Sequence, residues 1–413
     1  MNIYLIVILA ILIFNYILNL VVEVLNLSAI NTILPQEFKG WYDEVKYKKS
    51  QNYLGENTRF KLFESSFFTF VILFFILSGG FNFIDRAARS FGLGSILTGL
   101  MFAGILFMAL QVFGVPFSAY RIFIIEQRYG FNRTTVKTFI LDILKGGILT
   151  FIIGGIIFSC VLWFFAKTGK FAWAWCWLAV TLFEMFLIFI APVVIMPLFN
   201  KFSPLEDGEL KSSIKDYADS QNFKLKGVFK MDGSKRSTKS NAFFTGFGKY
   251  RRIVLFDTLI KNHTVSELVS VLAHEIGHYR KKHIIKSIAI SIATSGIMFF
   301  ILSLFINNPE LFAAFKMENI SIYASLFFFG FLYTPINMVF SLLSGMLSRK
   351  HEYEADYYAV STYKNPQAFI AALKKLSVDN LSNLTPHPLK VFLHYSHPPV
   401  LKRIEAIRRQ NIA

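Results

Sequence analysis

The sequence predicts a mainly α-helical, polytopic membrane protein with seven transmembrane helices and a cytoplasmic α+β portion that contains a small sheet. Composition is the first observation behind this fold class: 54% of the 413 residues are hydrophobic and 47 are phenylalanine. The mean hydropathy of +0.48 is the second, and it excludes an ordinary water-soluble globular chain. The third is a group of short β-prone runs between residues 226 and 260, which predicts the sheet.

Seven apolar runs are long enough to cross a hydrocarbon core of about 30 Å. They are residues 3–22, 66–84, 93–115, 146–166, 173–196, 284–306 and 322–346. The first run has neither a basic leader nor a small-residue cleavage site, so we expect it to be retained as a span. The chain is predicted to divide into four parts. Spans one to five occupy residues 1–196, a first cytoplasmic part 197–283, spans six and seven 284–346, and a second cytoplasmic part 347–413.

Basic residues near the spans are distributed unevenly. The loops after spans one, three and five carry Lys46, Lys48, Lys49, Arg59, Lys61, Arg121, Arg128 and Arg133. The opposite loops carry Arg86, Arg89, Lys167, Lys170 and Lys316. This bias predicts that residues 197–283 and 347–413 lie in the cytoplasm and that the N-terminus lies outside.

Charge and cysteine usage narrow the classes of partner. The formal net charge is +17, but the basic residues flank spans, where they face lipid headgroups, so we expect membrane lipid and no nucleic acid as a partner. Cys160 and Cys176 both fall inside predicted spans, which excludes a disulfide framework and a thiolate metal site.

The first cytoplasmic part is expected to contain a surface helix near 206–220, followed by three short strands. The strands are the runs KGVFKMDGS, SNAFFTGFGKY and RRIVLFDTLI. Thr264 and Glu267 then form a T-V-S-E capping box, which predicts the start of the next helix.

That helix carries the motif H-E-I-G-H at His274, Glu275 and His278. Imidazoles at positions i and i+4 leave one face of a helix toward a single metal ion, and the Glu between them can act as a general base. The alternative interpretation is a solvated helix with two unrelated histidines. A third ligand decides between them, because catalytic zinc takes three protein ligands.

We expect the third ligand from the segment that follows the seventh span, SRKHEYEADYYAV. The chain enters the membrane about 9 Å of helix after His278, crosses it and returns, so this segment should surface beside the motif. Glu352 and Asp356 share one helical face, which favours Glu352 as the ligand and Asp356 as the acceptor that orients an imidazole. Glu354 points elsewhere, and His351 is a weaker candidate ligand.

Six blocks of the sequence resemble the type I CAAX prenyl proteases, which are integral-membrane zinc metallopeptidases of the gluzincin type. The blocks are EQRYGFNRTT (126–135), PLFNKFSPLEDGELK (197–211), SNAFFTGFGK (240–249), LAHEIGH (272–278), RKHEYEADYYA (349–359) and HPPVLKRI (397–404). The resemblance implies one zinc ion per chain on His274, His278 and Glu352, with Glu275 as the base and Asp356 as the partner of a ligand imidazole. It also implies that the seven helices enclose a water-filled chamber.

Further site residues are implied by the same resemblance. Asn241, His397 and Arg403 are expected to line the cleft, and the SNAFF segment, with Ala242 and Phe243, is expected to be an edge strand that pairs with an extended peptide. His397 or Arg403 would then stabilise the oxyanion. In the alternative interpretation, the Asn241 side chain only hydrogen-bonds to its own backbone near a turn, His397 is a turn residue before two prolines, and Arg403 is a surface cation. The remaining histidines are expected to be structural or solvent-facing; they are His263, His283, His387 and His394.

The expected function is therefore a zinc metalloendopeptidase that cuts a peptide or protein, including lipidated ones, near the cytoplasmic membrane face. CAAX prenyl proteases remove the C-terminal tripeptide of prenylated proteins. One alternative is a membrane-protein quality-control endopeptidase without a prenyl requirement, and a more distant one is a zinc-dependent transporter or scaffold. The Ile-, Lys- and Asn-rich usage and the lack of an evident retention tail favour a bacterial inner membrane over the endoplasmic reticulum. The sequence sets no oligomeric state.

Overall fold

The computed structural model describes residues 2–31, 33–245 and 252–410. Seven helical stretches within these residues are long and apolar enough to cross a membrane, which confirms the predicted number of spans. The N-terminal helices are α1 (Ile3–Ser28), α2 (Glu44–Leu77), α3 (Gly80–Arg89), α4 (Ser95–Tyr120), α5 (Val136–Leu149), α6 (Gly155–Lys167), α7 (Ala172–Ile190) and α8 (Met196–Phe199). The π-helical turns Arg121–Glu126, Thr150–Gly154 and Ala191–Ile195 extend α4, join α5 to α6, and join α7 to α8.

The second helix begins well before the predicted apolar run, 66–84, and ends before the predicted end of that run. Helix α2 begins at Glu44, where Asp43 accepts a hydrogen bond from the Lys46 amide at 2.6 Å. The first half of α2 is polar, so a search for apolar runs does not detect it. It is nevertheless helical and buries Tyr47 against the cytoplasmic part. At the other end Gly79 has a φ of 79°, a left-handed conformation that glycine adopts without strain and that separates α2 from α3.

Two further spans are α12 (His283–Phe305) and α14 (Ile322–Tyr363). Helix α14 packs against α1, α4, α6 and α12, and neighbouring contacts join α1 to α2, α4 to α6, α6 to α7 and α7 to α12. At most 17% of the most apolar stretch of each span is buried. A filled bundle would bury one face of every helix. Much of each span is therefore exposed, and the chamber stays a prediction.

The cytoplasmic sheet has four strands instead of the predicted three: β1 (Phe202–Pro204), β2 (Gly227–Met231), β3 (Ala242–Thr245) and β4 (Arg252–Phe256). Their order is β1-β2-β4-β3, with β2 parallel to β4 and the other two pairs antiparallel. β1 is only three residues long and includes a proline, so no strand pattern marks it. The order places β3 at an edge, as expected for the SNAFF segment.

Helices complete the cytoplasmic part: α9 (Glu209–Ser220), α10 (Asp257–Asn262), α11 (Val265–Arg280), α15 (Pro366–Asp379), α16 (Pro388–His394) and α17 (Val400–Gln410). A short helix, α13 (Pro309–Ala314), lies between α12 and α14. The main core joins the sheet to α9, α11, α15 and α17, and it also takes in Phe38, Tyr42 and Tyr47 from the start of the chain. The loop after α1 is therefore part of this core.

Candidate metal centre and active site

Helix α11 holds the H-E-I-G-H motif in its last two turns. Its start is fixed by the predicted capping box: the Thr264 amide donates to Glu267 Oε2 at 2.9 Å, and the Glu267 amide donates to Thr264 Oγ1 at 3.4 Å. Its end is fixed by Lys282, whose φ of 58° turns the chain into α12 at His283. The motif is thus rigidly held at the point where the chain enters the membrane.

Helix α14 brings the second half of the site. It is one helix of 42 residues, from the seventh span through Glu352 and Asp356 to Tyr363. Both acidic side chains are buried and face α11. The predicted return of this segment to the motif is confirmed.

Three side chains converge between the two helices. His278 Nε2 lies 3.1 Å from His274 Nε2, Glu352 Oε1 lies 3.2 Å from His278 Nε2, and Glu352 Oε2 lies 3.5 Å from His274 Nε2. The ligand atoms of the three residues all lie within 4.8 Å of one another. Glu352 Oε2 is buried and accepts no hydrogen bond among the described residues, although the Arg403 guanidinium lies within ion-pair distance. Two imidazole nitrogens and a carboxylate oxygen that converge on one point fit a divalent metal such as zinc.

Asp356 and Arg403 support the first histidine. Asp356 Oδ1 lies 2.8 Å from His274 Nδ1, the arrangement that fixes a ligand imidazole by its other nitrogen. Burial lowers the pKa of His274, but hydrogen bonds to Asp356 and Glu352 outweigh it and raise the pKa to about 9. Arg403 donates to Asp356 from Nη2 at 2.6 Å and from Nε at 2.9 Å, and its Nη1 lies 3.3 Å from Glu352 Oε2. It is a buried clamp on both carboxylates instead of a surface cation.

His283 supports the second histidine, a role that the sequence analysis missed. Its Nδ1 lies 3.0 Å from His278 Nδ1, and its Nε2 lies 3.0 Å from Glu354 Oε2. Five residues separate the two histidines, a spacing that one straight helix does not place on one face. The break at Lys282 brings them together. The only signal in the sequence was the proximity of His283 to the motif.

His351 does not join the three converging side chains. Its ring stacks on His283 with centroids 3.9 Å apart, and its Nε2 has no hydrogen-bond partner among the described residues. The preference for Glu352 over His351 as a candidate ligand therefore agrees with the geometry.

A cleft of about 560 Å³ opens beside these residues, lined among others by Glu275, His397 and Phe243. Burial raises the pKa of Glu275. His397 has a side chain that is 65% exposed, and its Nε2 lies 3.4 Å from Glu352 Oε1. Ser396 Oγ lies 2.9 Å from His397 Nδ1, so the ring is held while its outer edge faces the cleft.

The edge strand β3 borders this cleft. Phe243 lies in the lining, and Ala242 is half-buried beside it. Asn241 is exposed, and its Oδ1 accepts a hydrogen bond from the Ala242 amide at 2.9 Å, which is the backbone-satisfying alternative for this residue. Asn241 does not belong to the described lining. The end of the predicted run, 246–250, lies outside the described residues.

Comparisons with known proteins agree along the whole chain. Residues 23–201 match the CAAX prenyl protease N-terminal family, described as five membrane helices, and residues 204–411 match peptidase family M48. CAAX prenyl protease 1 of Saccharomyces cerevisiae is 34% identical, over 91% of this chain and 88% of the relative. The CAAX prenyl protease 1 homolog of Arabidopsis thaliana is 35% identical, over 95% of this chain and 94% of the relative.

A crystal structure of S. mikatae Ste24p superposes with a TM-score of 0.93 at 33% sequence identity, and the match covers 98% of this chain and 99% of that chain. The relatives named here are eukaryotic, so the comparisons do not support the expected bacterial inner membrane. They agree with the multi-pass membrane architecture described above. The chain therefore belongs to peptidase family M48 and is a membrane-embedded metallopeptidase of the CAAX prenyl protease 1 family.

Proposed function

We propose that the chain hydrolyses a peptide bond at the membrane face where α11 and α14 meet, with zinc held by His274, His278 and Glu352. The observation that carries this proposal is the convergence of three ligand atoms within 4.8 Å of one another, on two helices that pack directly together. Zinc in such a set acts as a Lewis acid and lowers the pKa of water toward 7. Three protein ligands leave one coordination position for substrate or water.

Glu275 is the proposed general base. It follows His274 directly and lines the same cleft, where it takes a proton from the attacking water and returns it to the leaving amine. A carboxyl whose pKa is raised by burial holds the proton well enough to deliver it in the second step.

His397 is the proposed oxyanion donor. It is the exposed member of the group, and its Nε2 edge faces the cleft at 3.4 Å from Glu352. All three nitrogens of the Arg403 guanidinium contact the carboxylates of Asp356 and Glu352. Arg403 therefore positions the ligand carboxylate, and His397 is left to stabilise the developing negative charge.

The proposed substrate is an extended peptide that pairs with β3. An edge strand offers unpaired backbone groups to such a peptide, and Phe243 and Phe244 give the adjoining cleft an apolar wall. Relatives are named CAAX prenyl proteases, and we extend the lipidated substrate class to this chain. The basic bias of the loops supports placing the site on the cytoplasmic side.

The test uses the purified full-length protein with matched prenylated and unprenylated peptides, and products identified by mass. Glu275→Gln is expected to lower turnover by at least about 100-fold while zinc content stays unchanged. Glu209→Gln, a change of an exposed glutamate at the start of α9, is the control and should leave turnover unchanged.

Full hydrolysis by Glu275→Gln would exclude the proposed base. Cleavage of only the prenylated peptide supports the lipidated substrate class. Equal cleavage of both peptides favours the quality-control alternative and leaves the peptidase mechanism intact.

A further inference from the structure

A second cavity, of about 940 Å³, lies between α2 and the C-terminal end of α4. Its wall is formed by Phe60, Phe63, Phe117 and Tyr120, with Arg59 at one side. The Phe60 and Tyr120 rings stack at 5.0 Å. None of the residues proposed above for metal binding or catalysis belongs to this lining, so it is separate from the cleft.

The helical phase of α2 places this cavity on an exposed, aromatic face of the helix. Phe63, Phe70 and Phe74 follow Arg59 at helical spacing and are 64%, 68% and 64% exposed. Such a stripe of exposed aromatic side chains along a span is the face that meets acyl chains. The opposite face of α2 carries Tyr47, which is buried in the cytoplasmic core, and Lys61, which pairs with Glu23 of α1 at 3.1 Å.

The depth of the cavity matches the boundary between headgroups and acyl chains. Helix α2 is polar and charged from Glu44 to Glu64 and apolar from Phe67 onward. The cavity lining runs from Gln51 to Phe63 on this helix. It therefore offers polar groups at the charged end and aromatic rings at the apolar end, which is the order of chemistry along a phospholipid.

The lining holds polar groups without protein partners. Gln51 is 3% exposed, and neither its Nε2 nor its Oε1 has a hydrogen-bond partner among the described residues. Because those two atoms are themselves buried, a ligand in the cavity does not reach them, and the accessible charge of the lining is what such a ligand meets. Arg59 is exposed and forms no ion pair within the described part of the chain. Arg128 pairs with Glu56 at 2.5 Å, so the lining keeps a net positive charge at Arg59.

The shape of α4 explains why space is left here. Pro116 lies inside α4, where it removes one backbone hydrogen bond. The π-helical turn Arg121–Glu126 follows one turn later and widens the helix. Pro116 and the turn residue Ile125 both line the cavity. The cavity thus follows from the backbone path of α4 and does not depend on the rotamer of one side chain.

We propose that this cavity is a binding site for one anionic phospholipid. The phosphate lies against Arg59, and an acyl chain follows Phe60, Phe63 and Phe117 toward the apolar end of α2. A basic pocket at the end of the spans is the arrangement that recognises anionic headgroups. The site lies at the same end of the spans as the metal centre, so a bound lipid would brace α2 against α4 beneath the cytoplasmic part.

The test measures lipid binding by native mass spectrometry on the full-length protein in detergent, with dioleoylphosphatidylglycerol or dioleoylphosphatidylcholine as the probe. Wild type is expected to prefer the anionic lipid. Arg59→Gln should weaken its binding roughly fivefold and leave phosphatidylcholine binding unchanged.

Arg133→Gln is the matched control, since Arg133 is an exposed arginine on the next loop outside the cavity lining, and it should keep the preference. Glu275→Gln should also keep it, so a failed lipid site and a failed catalytic proposal can be told apart. Peptide hydrolysis by Arg59→Gln, expected at the wild-type rate in lipid-free detergent, shows that the variant folds.

Equal binding of the two lipids by wild type, or an unchanged preference in Arg59→Gln, would overturn the proposal. So would displacement of phosphatidylglycerol by an equimolar prenylated peptide, since the occupant would then be a lipidated substrate.

Discussion

The backbone of Ala355 lies 3.1 Å from the position that a Cβ atom would occupy at Gly277. This close approach lets α11 and α14 pack near enough for Glu352 to reach His274 and His278. Any side chain at position 277 must push the two helices apart. Gly277, the fourth residue of the H-E-I-G-H motif, therefore sets how closely the two histidines approach Glu352.

Gly277→Val is expected to destabilise the protein by about 1–3 kcal/mol through overpacking and to weaken zinc binding. Gly104→Ala is the matched control, because nothing lies within 4 Å of a Cβ at that helical glycine. Thermal unfolding and a competitive zinc titration would measure the two effects. Wild-type zinc affinity in Gly277→Val would show that the helix spacing does not set the site.

His283→Phe tests the support of the second ligand. Phenylalanine can keep the stack on His351 but loses the hydrogen bonds to His278 and Glu354. We expect zinc affinity to fall about 10-fold or more, as for other partners of ligand imidazoles, with little change in thermal unfolding. His263→Phe is a control at a buried histidine whose one hydrogen-bond partner among the described residues is the Leu259 carbonyl, and it should leave zinc affinity unchanged. Equal effects of the two variants would contradict this role.

Zinc affinity should depend on pH through His274. Its pKa in the metal-free protein is raised to about 9, above the ordinary value of about 6.5. The proton must leave before the nitrogen can bind metal. Affinity should therefore rise about tenfold for each pH unit between 7 and 9 and level off above 9.

The raised pKa of His274 also predicts how the free energy of unfolding of the metal-free protein changes with pH. A folded pKa raised above the unfolded value contributes stability that is complete below pH 6.5 and is lost as the pH rises through about 9. Chemical unfolding of zinc-free protein at pH 6 and pH 9 measures it. Asp356→Asn, which removes the stabilising carboxylate, should flatten both pH profiles; steep profiles in that variant would assign them to another group.

The block EQRYGFNRTT is expected to position the edge strand. Lys239 Nζ lies 2.9 Å from Glu126 Oε2 and 4.4 Å from the centre of the Phe131 ring. The Thr238 amide also donates to the Phe131 carbonyl at 3.1 Å. These contacts tie the loop after α4 to the segment that leads into β3.

Glu126→Gln should therefore raise the KM for peptide several-fold while kcat changes little, because the strand is misplaced and the metal centre is not. Steady-state kinetics with a peptide substrate measures the two constants. Glu206→Gln, at an exposed ion pair with Lys230, is the control. A loss confined to kcat would place the effect at the chemistry instead of the strand.

The spans and the candidate metal residues could be predicted because each depends on local sequence. Helical spacing places His274 and His278 on one face, and apolar length marks a span whatever its neighbours. The position of Glu352 beside the two histidines could also be predicted, since a helical hairpin must return to the side from which it left.

Other features depend on irregularities of the backbone or on tertiary packing, which the spacing of residues in the sequence does not reveal. The partnership of His283 with His278 needs the left-handed Lys282, and the extra strand β1 is fixed only by its pairing with β2. The polar start of α2 is helical because its buried face packs in the cytoplasmic core, a tertiary effect that overrides hydropathy. The role of Gly277 emerges only once Ala355 is seen opposite it.

The unbroken course of α14 has a mechanical consequence. At 1.5 Å per residue, its 42 residues make a helix about 63 Å long, with the seventh span in its first part and Glu352 and Asp356 in its second. A span adapts to a thinner or thicker hydrocarbon layer by leaning, and Pro335 inside α14 offers a place where the helix can bend. We therefore expect the bilayer thickness to affect the spacing between Glu352 and the two imidazoles less than it affects the tilt of the span.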